Sequence, residues 1–326
     1  MPDPVRVAVI GTGNIANQHL PVLRHLPEAQ VVALCDTNPE MLRAAEATYQ
    51  VGRTFDSVDG LMAWGAYDAV FVLVSVLQVA RVAERFIRHK TPTFLEKPPG
   101  LYSTDTAALA RAVEATGTPT QVGFNRRFYT SILAGRAALL ETGPIRSVTV
   151  HADEDIERIW TNARFTDEVR RRWAYANGIH ALDLLRFFGG DVRRVESHFA
   201  RVRNPMPDAF TAWLEFESGA HGRAHMDHFA PGGGHRYQVR TAEAMLTSYE
   251  GFARAVLERR GHESVEFRLT GDDQHLKPGF PGQARAFLEL VRTGGQPAFP
   301  AASIWDALST MQMIDAIVQP EAWSGA

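Results

Sequence analysis

The chain has 326 residues, which predicts two domains, and its 34 basic and 37 acidic side chains nearly cancel. So small a net charge argues against nucleic acid or a membrane surface as the main partner. A single cysteine excludes a disulfide-stapled fold, and no apolar run reaches the ~18 residues of a membrane span, so we expect a cytoplasmic globular protein.

Short apolar strands alternate with amphipathic helical segments over the first third of the chain. The sequence predicts strands at 5–10, 31–35, 68–75, 93–95 and 120–124, and helices at 14–26, from Pro39, at 79–89 and at 104–115. The strand DAVFVLVS is too apolar to have a wet face, as is typical of central parallel strands. This repeat predicts an α/β fold whose N-terminal part is a doubly wound parallel sheet of the Rossmann type.

The pattern changes near Phe124, where strands begin to follow one another. Predicted strands lie at 148–152, 192–202, 209–217, 220–228 and 237–241, and predicted helices at 128–140, 179–188, 283–291 and 304–317. We expect a loop at Gly232, Gly233 and Gly234, which follow a proline. Grouped strands indicate an antiparallel sheet, so we divide the chain into a first domain, 1–123, and a second domain, 124–326. We expect the C-terminal helices to pack back on the first domain.

The first predicted strand ends in Gly11-Thr12-Gly13-Asn14-Ile15-Ala16, which opens the first predicted helix. In this G-x-G-x-x-A pattern the first glycine permits a tight turn, the second lets the backbone approach a pyrophosphate, and the alanine keeps helix and strand close. The helix N-terminus supplies N–H groups for the phosphates. A tight turn without a ligand is the alternative, and a lone glycine pattern does not exclude it.

Asp36 supplies a second signal, because it follows the second predicted strand, 20 residues after Ala16. An acidic residue in this place accepts hydrogen bonds from the ribose hydroxyls of a dinucleotide. Its charge would repel a 2′-phosphate, and Thr37 and Asn38 stand where an arginine usually accommodates NADP. The sequence therefore predicts NAD as the cofactor, with NADP less favoured.

Glu96-Lys97-Pro98 follows the fourth predicted strand. Ligand sites of open α/β sheets lie beyond the carboxyl ends of the strands, so we expect Lys97 to point into that crevice. An ammonium group there stabilises negative charge on a substrate oxygen while a carbonyl is reduced. A solvated loop lysine is the alternative that the residue type alone favours.

Five elements occur in the order and approximate spacing of the Gfo/Idh/MocA oxidoreductases, which include glucose–fructose oxidoreductase and inositol dehydrogenase. They are the glycine turn, Asp36, the tripeptide at 96–98, the segment VGFNRRF at 122–128 and the segment GIHALD at 178–183. The chain resembles this family over nearly its whole length. The resemblance implies a dinucleotide-binding Rossmann domain, and an α/β domain with a large, mostly antiparallel sheet for substrate binding and oligomerisation. It also implies a nicotinamide cofactor and a sugar, cyclitol or related hydroxyl substrate.

The resemblance also implies roles for single residues. Lys97 matches the family's catalytic lysine, and His180 matches the active-site histidine, which would pass the hydroxyl proton as hydride moves to or from the nicotinamide. Asp183 matches an aspartate near the substrate. The expected substrate contacts are Arg126, Arg172, Asn177 and Asp183, and the expected cofactor contacts are Gly11, Gly13, Asn14, Ile15, Asp36, Ser75, Glu96 and Lys97.

Two elements depart from the family pattern. The aspartate that the family places four residues before the histidine is Ala176 here, and the family's Thr-Pro-Asn element has become Ser75-Val76-Leu77. Asn177 and Asp183 are the candidates to compensate for the missing carboxylate. Asp183 lies one turn after His180 on the predicted helix, so the two side chains are expected to be neighbours.

Two further clusters deserve a hypothesis each. His221, His225, Asp227 and His228 are close in sequence, but two of the histidines alternate along a strand and no cysteine joins them, so we expect no metal. Arg126, Arg127 and the arginines at 170–172 flank the expected site. Arginine binds carboxylates and phosphates bidentately, so a second hypothesis is that the substrate is anionic.

Three functions are consistent with the sequence. The leading one is an NAD(P)-dependent oxidoreductase that transfers a hydride between nicotinamide and a hydroxyl or carbonyl of a sugar, cyclitol or related small polar substrate. The alternatives are a glycosidase that uses tightly held NAD, which the family also contains, and a non-catalytic nucleotide-binding sensor. Lys97 and His180 argue against the sensor, which needs neither. An open sheet face in the second domain would suit a homodimer or homotetramer, as the resemblance implies. We expect no nucleic-acid or membrane partner.

Overall fold

The computed structural model describes residues 3–162, 165–201 and 207–319. The chain divides into two compact units, one formed by Met1–Phe128 and Gly271–Leu308 and the other by Tyr129–Thr270 and Ser309–Ala326. Each unit contains one sheet. Within the described ranges, we find no helix with the length and apolar character needed to cross a membrane.

The first unit is built on a six-stranded sheet in which every strand pair is parallel. The strand order is β3-β2-β1-β4-β5-β6, so the order reverses between β1 and β4 and opens a crevice beyond their carboxyl ends. The strands are β1 (Val5–Ile10), β2 (Ala29–Cys35), β3 (Thr54–Phe55), β4 (Ala69–Val72), β5 (Thr93–Glu96) and β6 (Thr120–Gly123). The helices are α1 (Ala16–His25), α2 (Pro39–Tyr49), α3 (Val58–Trp64), α4 (Val76–Arg88) and α5 (Ser103–Thr116). The predicted doubly wound parallel sheet is confirmed.

The second unit is built on an eight-stranded sheet in the order β14-β13-β12-β11-β7-β10-β9-β8. Its β7–β10 pair is parallel and the other strand pairs of the described residues are antiparallel, which confirms the predicted mostly antiparallel sheet. The strands are β7 (Ser147–Asp155), β8 (Val192–Ala200), β9 (Ala209–Phe216), β10 (His221–Asp227), β11 (Phe229–Arg240), β12 (Ala244–Tyr249), β13 (Arg254–Arg259) and β14 (Val265–Arg268).

Helices cover one face of this second sheet. α6 (Thr130–Leu140) packs on β12, β13 and β14, and α9 (Ile179–Gly189) packs on β7, β10 and β11. A π-helical turn, Ala174–Gly178, leads directly into α9. The shorter helices α7 (Ile156–Trp160) and α8 (Asp167–Arg171) precede that turn.

Two further helices follow the second sheet in sequence, α10 (Phe280–Thr293) and α11 (Ile304–Val318). In the first unit, α10 packs on α1 and β1 and adds aromatic rings to the core. Phe71 of β4 and Phe94 of β5 stack with ring centroids 4.7 Å apart, and Phe287 of α10 meets both edge-on. The alternating strands and helices thus bury their apolar faces around one central sheet.

The structure differs from the predicted elements at several positions. The loop expected at Gly232, Gly233 and Gly234 is wrong, because these glycines lie inside β11, where the register with β7 shifts. All three have positive φ, which glycine adopts without the strain of a side chain, so a bulge replaces the loop. The strand expected at 68–75 is shorter, since the chain turns into α4 after Ser75. The strands β3, β12, β13 and β14 and the helices α3, α7 and α8 were not predicted.

Candidate active site

The glycine turn lies at the carboxyl end of β1, where the strand order reverses. Gly11 has φ +91°, and a Cβ there would lie 2.6 Å from the Leu73 carbonyl oxygen, so the close approach of the two loops requires a glycine. At Gly13 φ is not positive, and the nearest atom to an added Cβ is the Met41 methyl at 3.5 Å, an ordinary contact. The packing of the chain itself therefore does not require Gly13, and a glycine here suits the close approach of a ligand to the backbone.

Asp36 stands at the end of β2, and its carboxylate faces the glycine turn. Oδ2 accepts hydrogen bonds from Thr12 N at 2.7 Å and from Thr12 Oγ1 at 2.9 Å. Oδ1 accepts from Asn38 N at 2.8 Å. Asn38 in turn caps α2 by accepting from Glu40 N and Met41 N. The half-buried carboxylate is thereby fixed in orientation between two loops at the sheet edge.

Lys97 follows β5 at the same edge of the sheet and is half-buried, so it is not a fully solvated loop lysine. Its backbone N–H donates to Glu96 Oε2 at 3.2 Å. The other oxygen of Glu96, Oε1, lies 2.7 Å from Nε2 of His19 on α1, and both side chains are buried. The backbone of Lys97 is therefore joined through one buried pair to the helix that begins at the glycine turn.

The remaining residues expected at the cofactor also lie at this edge. Asn14 and Ile15 form the turn before α1, with Asn14 exposed and Ile15 half-buried. Ser75 is exposed, and its carbonyl accepts from the backbone N–H groups of the first turn of α4. Because the strands are parallel, the residues that follow β1, β2, β4 and β5 share one edge. The structure thus brings together all eight residues predicted at the cofactor.

The second unit carries the other expected catalytic residue on the segment that joins the π-helical turn to α9. His180 is half-buried in the first turn of α9. Asn177 precedes it by three residues, and its Nδ2 donates to Glu154 of β7 at 2.6 Å. Asn177 and His180 thus flank the junction between the π-helical turn and α9.

Glu154 is a site residue that the sequence patterns missed. Besides Asn177, its Oε1 contacts Nε2 of His235, at 2.8 Å. Burial alone would raise the pKa of Glu154, but the hydrogen bond and charge of His235 and the hydrogen bond from Asn177 outweigh it and hold that pKa below its usual value. Glu154 is therefore an ionised, nearly buried carboxylate beside the helix that carries His180.

Asp183, the second candidate to compensate for the missing carboxylate, points elsewhere. Its side chain is buried, with 2% of the residue exposed, and its Oδ1 accepts from Thr310 Oγ1 of α11 at 3.0 Å. The structure thus places Asp183 in the interior of the second unit. A substrate contact by Asp183 stays a prediction.

Arg170 and Arg172, two of the arginines proposed to hold an anion, have contacts within their own unit. The guanidinium of Arg172 lies 3.9 Å from the centre of the Tyr175 ring and 3.9 Å from Asp315. Arg170 pairs with Asp167 at 2.7 Å. Arg126 is half-buried in the 3₁₀ turn after β6, and Arg171 is exposed. Arg126 and Arg172 as substrate contacts remain predictions.

The histidines considered for a metal do not converge. His221 and His225 lie on the face of β10 opposite its buried residues, whereas His228 is buried beyond the strand end. In the parts of the chain that the structure describes, no group of three or more His, Cys, Asp or Glu residues is arranged to hold a metal ion. Burial lowers the pKa of His228, which favours its neutral form.

Comparison with known sequences matches both parts of the chain to one family. Residues 5–124 match the family model described as "Oxidoreductase family, NAD-binding Rossmann fold", and residues 140–247 match the "GFO/IDH/MocA C-terminal domain". A dehydrogenase structure from Chromobacterium violaceum superimposes with a TM-score of 0.86 at 19% identity, covering 100% of this chain and 97% of the other. At that identity the likeness shows the fold.

Two curated relatives are sugar and cyclitol dehydrogenases by name. The chain is 30% identical to D-apiose dehydrogenase of Paraburkholderia graminis over 224 residues, which are 65% of this chain and 57% of the relative. It is 28% identical to inositol 2-dehydrogenase of Rhizobium meliloti over 191 residues, 57% of this chain and 56% of the relative. The match thus spans less than two thirds of either relative. With both family models matched in the expected order, the chain belongs to the Gfo/Idh/MocA oxidoreductase family.

Proposed function

We propose that the protein is an NAD-dependent dehydrogenase that oxidises a hydroxyl group of a sugar or cyclitol, or reduces the corresponding carbonyl. The observation that carries this proposal is the Asp36 carboxylate, held by Thr12 and Asn38 at the end of β2 beside a glycine turn whose Gly13 the packing does not require. The names of the apiose and inositol dehydrogenases support the class of substrate.

The residues at the first sheet edge fit a dinucleotide. The turn at Gly11 and Gly13 and the N-terminus of α1 would hold the pyrophosphate, and Asp36 would accept hydrogen bonds from the adenosine ribose. A 2′-phosphate would meet the charge of Asp36, so we propose NAD in preference to NADP. When bound, the nicotinamide supplies the acceptor or donor of a hydride.

Besides hydride transfer, the reaction needs proton transfer and charge stabilisation, which we assign to His180 and Lys97. Oxidation of an alcohol removes a proton from the hydroxyl oxygen as well as a hydride from carbon. We assign acceptance of that proton to an imidazole nitrogen of His180, and its return in the reverse direction. The ammonium group of Lys97 would stabilise the negative charge that develops on a substrate oxygen.

The same proposal covers the organisation of the protein. Residues 1–123 would form the dinucleotide-binding domain, and residues 124–326 the domain for substrate binding and oligomerisation. We propose a cytoplasmic homodimer or homotetramer. The internal partners of Arg170 and Arg172 weigh against an anionic substrate held by those two side chains.

A turnover screen tests the proposal. The wild-type protein is incubated with D-apiose, myo-inositol, scyllo-inositol and a set of sugars, each with NAD or NADP, while the absorbance of the reduced nicotinamide is followed. We expect net reduction of NAD with at least one probe, faster than with NADP, and reduction roughly 100-fold slower or more in the His180→Ala variant prepared in parallel. Tight NADH binding without net reduction by any probe would refute the proposal, and would favour the sensor or the glycosidase.

A further inference from the structure

Glu154 is a charged residue on the buried face of β7. Val148, Val150 and Ala152 point from β7 toward the helix-covered side and are fully buried, and Glu154 follows them with the same period of two. Burying a carboxylate is costly unless it is hydrogen-bonded and paired. The residues around Glu154 must therefore supply hydrogen bonds and a charge partner to its carboxylate.

Two side chains from different elements contact the carboxylate of Glu154. Asn177 donates from the π-helical turn at 2.6 Å, and His235 contacts the carboxylate from the neighbouring strand β11 at 2.8 Å. The side chain of Glu154 is 12% exposed and that of His235 is 7% exposed, so little water competes for these contacts. The cluster formed by Glu154, Asn177 and His235 is thus closely fixed.

This cluster determines which end of the Asn177 amide faces outward. An ionised carboxylate only accepts hydrogen bonds, so the NH₂ group of Asn177 must point at Glu154. The amide oxygen Oδ1 is then the part of Asn177 that a ligand meets. Asn177 is half-buried and precedes His180, the proposed proton acceptor, by three residues.

We propose that Glu154 is a positioning residue of the substrate site, which holds Asn177 so that its amide oxygen accepts a hydrogen bond from a second hydroxyl of the substrate. The inference rests on the proposed function and specifies a substrate with at least two hydroxyl groups. A carboxylate or a dianionic phosphate at this point has no proton to donate and would be repelled by the amide oxygen.

An exchange of the amide and carboxylate groups between positions 154 and 177 tests the proposal. Asn177→Asp places a second carboxylate against Glu154, so the side chain at position 177 loses its orientation. In the double variant E154Q/N177D, the introduced amide donates to the introduced carboxylate and still accepts from His235, which leaves one oxygen at position 177 for the substrate. Asp153→Asn is the matched control, because Asp153 lies on the other face of β7, 3.7 Å from His151 and His225.

Kinetics and melting temperatures are measured with D-apiose, myo-inositol and scyllo-inositol as probes. We expect N177D to raise KM about tenfold, the order of one lost hydrogen bond, with kcat changed less, and we expect the double variant to regain most of the loss. We expect D153N to keep the wild-type KM. The single variant should also melt roughly 3 °C lower or more, and the double variant should recover.

The outcomes separate this inference from the proposed function. An unchanged KM in N177D, while the wild type turns over a probe, would overturn the inference and leave the dehydrogenase standing. Equal KM values in N177D and the double variant would overturn it as well. If the wild type turns over no probe, the proposed function fails for these substrates, and the melting temperatures still decide whether positions 154 and 177 are coupled: no recovery in the double variant refutes the pairing.

Discussion

Asp36→Ala removes a carboxylate that accepts three hydrogen bonds, two from Thr12 and one from Asn38. A hydrogen bond contributes about 0.5–1.5 kcal/mol net to stability, and Asp36 is half-buried, so we expect a loss of about 2–3 kcal/mol. For a unit of this size that corresponds to a melting temperature roughly 4–12 °C lower. The variant should still fold, because the core of the first unit is untouched.

The same substitution should change the choice of cofactor. Loss of a charged acceptor for the ribose hydroxyls should weaken NADH binding about 10- to 100-fold. NADPH should bind no worse than before, since the charge that would repel its 2′-phosphate is gone. The dissociation constant for NADPH divided by that for NADH should therefore fall by about tenfold or more. Loss of folded protein alone does not produce this change.

Asp68→Ala is the matched control for this experiment. Asp68 also accepts three hydrogen bonds, all from Arg6, but it precedes β4 and so lies at the amino edge of the same sheet. Fluorescence titration with NADH and NADPH, with thermal melts of each variant, gives both quantities. An unchanged ratio of affinities in a less stable Asp36→Ala variant would show that the carboxylate only braces the turn. Weaker NADH binding in Asp68→Ala would show that the effect is not local.

Three further predictions concern other parts of the chain. His180→Ala should lower kcat roughly 100- to 10,000-fold with little change in NADH affinity, and addition of Lys97→Ala should cost little beyond the poorer single variant, as steady-state kinetics will show. Burial keeps the pKa of His228 below its ordinary value of 6.5, so as pH falls below that value the unfolded chain binds a proton that the native chain does not, and stability falls. Melts of His228→Gln should therefore depend less on pH between about 6.5 and 5 than wild-type melts, and parallel curves would contradict this. Burial raises the pKa of the Cys35 thiol to about 12, so a disulfide reagent should titrate this thiol only after denaturation.

The parallel sheet was predictable because its strands are short, apolar and followed by helix signals. β1 has the predicted bounds, and α2 begins at Pro39 with Asn38 as its cap. The strand predicted at 68–75 extended too far, since apolar residues continue into α4. Composition alone does not mark where an apolar run changes from strand to helix.

The second sheet was less predictable for a different reason. β13 reads RAVLER, so charged residues flank a short apolar centre, and its pairing with β12 and β14 is what makes it a strand. β11 contains three consecutive glycines, which sequence rules assign to a loop. In both cases the neighbouring strands of the same sheet supply the hydrogen bonds that make the segment a strand. Such tertiary context overrides local propensity.

The site residues divide in the same way. Gly11, Gly13 and Asp36 were predictable because their roles depend on local order: strand, turn, helix, strand end. Glu154 had a weaker signal, a carboxylate at the next position of a buried period-two pattern. Its partner His235 lies 81 residues away in the chain, and no local pattern connects the two.

Each unit places a hydrogen-bonded carboxylate, buried or nearly so, next to a residue proposed to contact the substrate. In the first unit Glu96 contacts His19 and accepts from the backbone of Lys97, and in the second unit Glu154 contacts His235 and accepts from Asn177. Burial of such pairs costs desolvation energy that their mutual attraction only partly offsets, so they are weak sources of stability. What they supply is orientation, because a buried acceptor with two fixed donors permits few side-chain arrangements. On this argument the environment, more than the residue type, makes Lys97 and Asn177 candidates for function.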